Sequence, residues 1–391
     1  MHTTPHFTNR SYIVMKKKIL FMINSLHGGG AEKVLQTILN NINLAEYDIT
    51  LYSVNEDEPR DKYPEGITIR HIFKQKATSA IGRFFLKLTN KFKLFIYYHF
   101  SAQAFYRLFV RGIYDTEVAF IEGYATRIIS GSNNKNSKKI AWVHIDLHNY
   151  HWTPIAYRND AEEIDAYNKF STIACVSNDT KDNLKLRFPS LNNVITIYNP
   201  IDDQAIRQHK AANQASLHNR PIRLISLGRL VHQKGYDRLL PIIKRLHAEG
   251  HNIHLTILGD GEDRLSLEQY ILENKLSDVI SLPGYIENPY KIMAESDIFV
   301  CSSRSEGYST AITEALILGI AIVTTKCSGT SELLGDNEFG IITENSEEAL
   351  YTGIASLISS PNLIEYYKQQ SAKRSSFFSL SNLIDNIKEI L

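Results

Sequence analysis

Short runs rich in β-branched residues alternate with helix-period segments along this chain, and the alternation is run twice. The first round supplies KILFMIN, YDITLYSV, ITIRHIF, TEVAFIE, KKIAWVHI, STIACVS and NVITIYN. After NPIDDQ a polar stretch, RQHKAANQASLHNRP, interrupts the pattern. A second round then brings IRLISLG, NIHLTILG, VISLPG, DIFVCSS and AIVTT, separated by helical segments such as GYDRLLPIIKRLHAEG. Strands joined through helices pair in parallel, and parallel sheets are covered by helices, so their strands read as apolar runs. The pattern predicts an α/β chain of two similar-sized, doubly wound domains with a boundary near Pro200. A length of 391 residues agrees, being more than one core usually organises. In such sheets ligands gather at the carboxyl ends of the strands.

Composition removes several function classes. A net charge of +1 gives no global attraction to nucleic acid. The three cysteines, Cys175, Cys301 and Cys327, are far apart and form no CxxC pair, which disfavours a disulfide framework or zinc site and suits a reducing cytoplasm. MKKKILFMINSLHGGG imitates a signal peptide, but its apolar run is short and meets Asn24 and the glycines at once, so a first strand is expected. The preceding residues 1–15 read as a flexible tail, with Met15 as a possible second start. No stretch approaches the roughly 18–20 apolar residues of a membrane span.

Several strand ends carry phosphate-ready chemistry. INSLHGGGAEKV follows the first strand and opens a helix, so Gly28, Gly29 and Gly30 let backbone amides approach an anion at a helix N-terminus. It is not GxGxxG, and no acidic residue ends the second strand, which disfavours a nicotinamide dehydrogenase. In SLGRLVHQKGYDRLL, Arg229 and Lys234 leave a strand end five residues apart and could grip adjacent phosphates or stand as solvated loop cations. ILGDGEDR, with Gly261, and LPGYIENPY are further such turns. At the latter, backbone groups of Tyr285 and Ile286 could edge a nucleobase.

SSRSEGYSTAITEALILG sets Glu306 in a loop and Glu314 about one turn into a helix ending at Gly319. Eight residues on that path span roughly 12 Å, about the sugar-to-ribose distance in a nucleotide sugar. Amides of Ser309 and Thr310 at the helix start would face the phosphates between the two acids. The competing reading is a solvated helix start.

Together GRLVHQKGYDRLL, ILGDGEDR and EGYSTAITEALILGIAIVTT resemble the retaining glycosyltransferases of family 4, which have the GT-B fold. GGGAEKV, AWVHID and VSNDT…YNPID are similar to that family's first domain and hinge, so the resemblance spans nearly all the chain after residue 16. It implies two Rossmann-like domains facing a central cleft. An acceptor-side domain would cover 16–200 and take back a C-terminal helix, 377–391; a nucleotide-sugar domain would cover 201–376. It implies that Glu306 holds hydroxyls of the donor sugar and Glu314 the ribose, while Arg229 and Lys234 bind the diphosphate. Gly29 and Gly30 would approach from the opposite domain, and His144 would reach the transferred sugar, with Asp146 or His148 as partners or mere capping residues. Gly307 and Tyr308 would complete the donor-binding loop. The resemblance implies no metal and no cofactor, the nucleotide-diphosphate sugar being a co-substrate. It implies transfer of a hexose or N-acetylhexosamine, UDP-sugar preferred, to a growing, lipid-linked glycan for surface polysaccharide or lipopolysaccharide. The alternatives are a soluble sugar transferase or phosphorylase on a small acceptor, and a catalytically inert nucleotide-sugar sensor.

One stretch is unusual on its own terms. From Gly66 to Tyr114 there is no acidic residue, but there are nine Lys or Arg and twelve aromatics. Arg83, Lys87 and Lys91 recur every four residues beside Phe84, Leu88, Phe92 and Phe95, as in an interfacial membrane helix. Peripheral membrane contact through residues 74–111, at the cytoplasmic face of the cell membrane, is the expectation. Packing of the aromatics onto the first sheet is its competitor, and a nucleic-acid patch is disfavoured by the charge balance.

Overall fold

A computed structural model describes residues 16–26, 29–56, 63–74, 80–209 and 220–391. The N-terminal tail, Gly28 and most of the polar stretch before Pro221 lie outside the described residues.

Seven parallel strands form the first sheet: β1 (Lys17–Ile23), β2 (Tyr47–Asn55), β3 (Thr68–Phe73), β4 (Thr116–Ala119), β5 (Lys138–Val143), β6 (Thr172–Cys175) and β7 (Val194–Thr196). Their order is β3-β2-β1-β4-β5-β6-β7. Six more parallel strands form the second sheet: β8 (Ile222–Leu227), β9 (Ile253–Leu258), β10 (Ile280–Gly284), β11 (Ile298–Cys301), β12 (Ala321–Thr325) and β13 (Ile341–Thr343), in the order β10-β9-β8-β11-β12-β13. The segment that imitated a signal peptide is thus strand β1, central in its sheet. Strand β13 is the one the sequence pattern did not show. It is three residues long and pairs with β12 through Val323 and Ile341.

Both sheets are covered on both faces, and β1 shows why its sequence is apolar throughout. Ile19, Phe21 and Ile23 face one core and Leu20 and Met22 another, all fully buried. The first of these cores continues across the junction of the lobes, joining Phe21 to Phe299 and Ile322 of the second sheet and to Ile384 and Ile387 of the last helix, Leu380–Ile390. That helix ends against the first lobe, where the Thr116 hydroxyl donates to the Leu391 carbonyl at 2.5 Å.

In each sheet the strand order reverses beside its first strand, between β1 and β4 and between β8 and β11. A crevice opens at such a point because successive connections leave to opposite faces. The two crevices set the address of the site.

Candidate active site

Every strand end at those reversals contributes to one region. After β11, Ser302 to Gly307 form a loop, and Ser309 then caps the helix Thr310–Leu318 by accepting the Ile312 amide at 3.3 Å. The helix closes at Gly319, held at φ 74°, a left-handed value that suits glycine. Glu306 and Glu314, at the two ends of this segment, are 8 % and 1 % exposed. A solvated helix start does not bury both acids, so that reading is set aside.

Each acid meets a lysine. Lys234, after β8, lies 2.6 Å from Glu306 Oε1, and the Ser303 hydroxyl donates to the same oxygen at 2.6 Å. Burial pushes the Lys234 ammonium down, but Glu306 outweighs it and holds the group above its ordinary value. Gly235, next in the chain, is left-handed at φ 68°, and a Cβ there would stand 2.2 Å from the Ser302 carbonyl. The turn carrying Lys234 can therefore lie directly on the Glu306 loop only with glycine. Arg229 is exposed; it repels Lys234 electrostatically from nearby. The expected pair of phosphate cations thus divides into one lysine bound to an acid and one arginine turned to solvent.

Glu314 meets Lys33, which sequence reasoning missed. Lys33 belongs to the helix Gly30–Asn41 of the first lobe, and its Nζ binds Glu314 Oε1 across the cleft. Burial opposes the charge on Lys33, yet Glu314 and then Tyr290 raise its pKa overall. The ammonium sits 4.8 Å from the centroid of the Tyr290 ring. No local pattern signals this pair, whose members are 281 residues apart. Beside it, a Cβ on Gly30 would lie 3.4 Å from the Thr310 hydroxyl, so the first lobe's glycine turn faces the start of the second lobe's helix.

From the first lobe, His144 follows β5. Its backbone amide donates to Glu122 Oε2 at 2.9 Å, and Trp152 Nε1 donates to Glu122 Oε1 at 3.3 Å. Burial drives the His144 pKa down to about 3, against a smaller upward contribution from a hydrogen bond at the Phe120 backbone, so the ring is neutral near pH 7. Its Nε2 is buried without a hydrogen-bond partner. Asp146 is not that partner. It accepts the His148 and Asn149 amides and the Ser328 hydroxyl of the other lobe, at 2.9, 3.0 and 2.7 Å. Burial raises the Asp146 carboxyl, but these donors, those of Asn149 foremost, bring it below its ordinary value.

The lobes also meet at Gly307. A Cβ there would fall 2.2 Å from the His144 carbonyl oxygen, and the Ser177 hydroxyl donates to the Gly307 carbonyl at 2.8 Å. Tyr308 is buried against Tyr198, ring centroids 5.3 Å apart. A second latch lies alongside: Glu332 accepts the amides of Asn178 and Asp179, each at 3.0 Å, at the N-terminus of the helix Asn178–Arg187. A carboxylate is favoured there by the helix dipole. Asp179 in turn accepts the Gly329 amide at 2.8 Å. Of the remaining predicted residues, Gly261 places its amide on its neighbour Asp260, Tyr285 stands 54 % exposed just beyond β10, and Ile286 packs partly against the shared core. Among the described residues, no cluster of three or more His, Cys, Asp or Glu could hold a metal ion.

Known proteins resemble this chain in the sequence of its second lobe and in its fold. Residues 208–374 match the family model described as glycosyl transferases group 1. A segment of 184 residues is 34 % identical to the Campylobacter jejuni N-acetylgalactosamine-N,N'-diacetylbacillosaminyl-diphospho-undecaprenol 4-alpha-N-acetylgalactosaminyltransferase, spanning 46 % of this chain and about half, 49 %, of that protein. The amylovoran biosynthesis glycosyltransferase AmsD of Erwinia amylovora is 23 % identical over 96 % of this chain and 99 % of its own length. In three dimensions the chain is similar to Anabaena HepE, solved with UDP and glucose, at a TM-score of 0.71 and 17 % identity over 95 % of this chain and 98 % of that one. That likeness shows the fold, which is GT-B. Through its second lobe, the chain is similar to the glycosyl transferases of group 1.

Proposed function

We infer that the protein transfers a hexose or N-acetylhexosamine, with retention of configuration, from a nucleotide-diphosphate sugar to a growing glycan. The observation that carries this reading is the burial of Glu306 and Glu314 at the facing strand ends, each held by a lysine. Glu306 would accept from donor-sugar hydroxyls and Glu314 from the ribose, in charge-assisted hydrogen bonds. Arg229, which makes no ion pair among the described residues, would join Lys234 in neutralising the leaving diphosphate, the work a metal ion does elsewhere. Neutral His144 would offer its unpartnered Nε2 to a hydroxyl of the transferred sugar. No resident metal or cofactor is required by this scheme.

The acceptor would be lipid-linked, and the first lobe supports that part. On the helix Ala80–His99, Phe84, Phe92 and Phe95 are 66, 58 and 52 % exposed, beside Lys87 and Lys91. These three aromatics therefore do not pack onto the sheet, whereas Tyr97, Phe105, Tyr106 and Tyr114 of the same stretch are buried in the first lobe's core. An exposed apolar stripe flanked by cations suits an anionic bilayer surface, each lysine there contributing about 1 kcal/mol. No described helix is long and apolar enough to cross a membrane. The relative from Campylobacter, whose name contains a diphospho-undecaprenol, and HepE, solved with UDP, motivate the lipid acceptor and the UDP-sugar.

The test is melting temperature against UDP, GDP, ADP, CDP and their sugars, for wild type and Glu314→Ala. A ligand that binds only the folded state raises stability by mass action. A shift with one nucleotide, lost in the variant, is the expected result. No shift with any of them would remove the reading.

A further inference from the structure

Glu314 is buried to 1 %, yet only one of its oxygens is accounted for. Lys33 binds Oε1, while Oε2 is buried with no hydrogen-bond partner. Such an oxygen would ordinarily be satisfied, because leaving it so costs stability. A cavity of about 40 Å³ lies against the pair, lined by Lys33, Thr37, Tyr290, Thr310 and Glu314 among others. The acid, Tyr290 and Thr310 belong to the second lobe, whereas Lys33 and Thr37 arrive from the first.

We propose that Lys33 is a positioning residue for the donor: it holds Glu314 by Oε1 so that Oε2 is presented to a ribose hydroxyl. This rests on the reading of Glu314 as the ribose acceptor. A carboxylate has acceptor capacity on both oxygens, so lysine and ribose need not compete. The ammonium fixes the rotamer of the acid, and the Tyr290 ring fixes the ammonium from beside it. Because the two groups sit on different lobes, recognition of the ribose becomes conditional on the approach of the lobes. A nucleotide bound to the second lobe alone would meet a carboxylate free to turn.

The experiment titrates the full chain calorimetrically with UDP, GDP, ADP and CDP and with their 2′,3′-dideoxy forms. It compares wild type, Lys33→Met, Lys33→Arg and Glu314→Gln. Methionine keeps an apolar stem of similar length without the charge, and a single cooperative melt, even at a lowered temperature, would certify the fold. Wild type should bind the preferred nucleotide at least tenfold tighter than its dideoxy form. Lys33→Met should bring that ratio close to one, and Lys33→Arg should keep most of it. In turnover assays Lys33→Met should raise KM for the donor more than it lowers kcat. A ratio unchanged in Lys33→Met overturns the proposal and leaves Glu314 as the ribose acceptor. Tighter nucleotide binding by Lys33→Met also overturns it, since Lys33 would then be a competitor for the acid. If wild type does not distinguish the two forms and Glu314→Gln changes nothing, the ribose reading itself falls and takes the proposal with it.

Discussion

Both lobes wind their sheets alike, with the first strand flanking the point where the order reverses, yet they place opposite kinds of chemistry there. The second lobe sets Lys234, Ser303 and Glu306 within hydrogen-bond reach of one another. The first lobe sets Glu122, Trp152 and a neutral histidine there, and exposes an apolar helix farther out. The same fold therefore makes one half built on a lysine–carboxylate pair and another that presents a neutral histidine, although that second half also sends Lys33 across to Glu314. What distinguishes them is carried by the loops after the strands, where side chains are least constrained by packing. Under the proposed function, the charged half would take the diphosphate of the donor and the other half the acceptor.

The sharpest way to break this comparison is at Glu306. Glu306→Ala would remove the proposed sugar contact and leave the Lys234 ammonium without its counter-ion. Turnover should fall about 100- to 1,000-fold, and breaking the pair should also destabilise the fold, by less than the about 3–5 kcal/mol typical of a fully buried pair. Glu306→Gln separates the two effects by keeping the shape. Steady-state rates with added donor, beside a denaturant melt, give the answer; undiminished turnover would end the assignment.

Next comes the junction of the halves. At Gly307 a Cβ would stand 2.2 Å from the His144 carbonyl, a backbone atom that cannot swing aside. Overpacking of this kind costs about 1–3 kcal/mol, here set against closure of the lobes. Donor affinity in Gly307→Ala should fall roughly 5- to 150-fold by that figure. Small-angle scattering should show a larger radius of gyration in the variant, and wild-type affinity would mean that the halves work without touching.

What could be read from the sequence divides along the same line. Twelve of the thirteen described strands were legible because a short apolar, β-branched run is a local signal; β7, though only three residues long, lies in the longer run NVITIYN, whereas β13 offers just Ile341 and Ile342 before polar residues. Glu306 and Glu314 stood out because they share one short segment with a helix start. Their lysine partners did not. Lys234 was read as a phosphate ligand, yet it also neutralises Glu306. Lys33 carries no local signal, since its partner lies in the other lobe. The latch of Glu332 on the helix Asn178–Arg187 escaped notice for the same reason. Contacts between lobes depend on how two finished domains meet, and no local pattern encodes that.

A milder probe of the first lobe uses pH. The unfolded chain takes a proton on His144 near pH 6.5, while the folded ring refuses it until about pH 3. The stability linked to this group is therefore fully present above about pH 6.5 and is lost as pH falls through that window, by about 1.4 kcal/mol per unit. Between pH 6.5 and 5 this is about 2 kcal/mol. Chemical denaturation at the two values should show His144→Gln losing less stability than wild type by that amount. Equal losses would mean that the ring is not held neutral, and the contrast of a neutral half with a charged one would weaken.

The smallest effect belongs to the exposed helix, where the comparison can be sharpened without disturbing the site. Lys87→Glu and Lys91→Glu alter exposed side chains, so folding stability should stay within about 0.5 kcal/mol. Binding to vesicles is another matter. Each lysine near an anionic surface is worth about 1 kcal/mol, so removing one should weaken sedimentation with phosphatidylglycerol-containing vesicles roughly fivefold. Reversing its sign should weaken it further. Salt should weaken wild-type binding by screening, and it should narrow the gap between wild type and variants. Turnover on a water-soluble acceptor should be unchanged, because the charged half is intact. If the variants sediment like wild type, the aromatic stripe alone or no membrane contact at all describes this face, and Phe92→Asp then decides between those two.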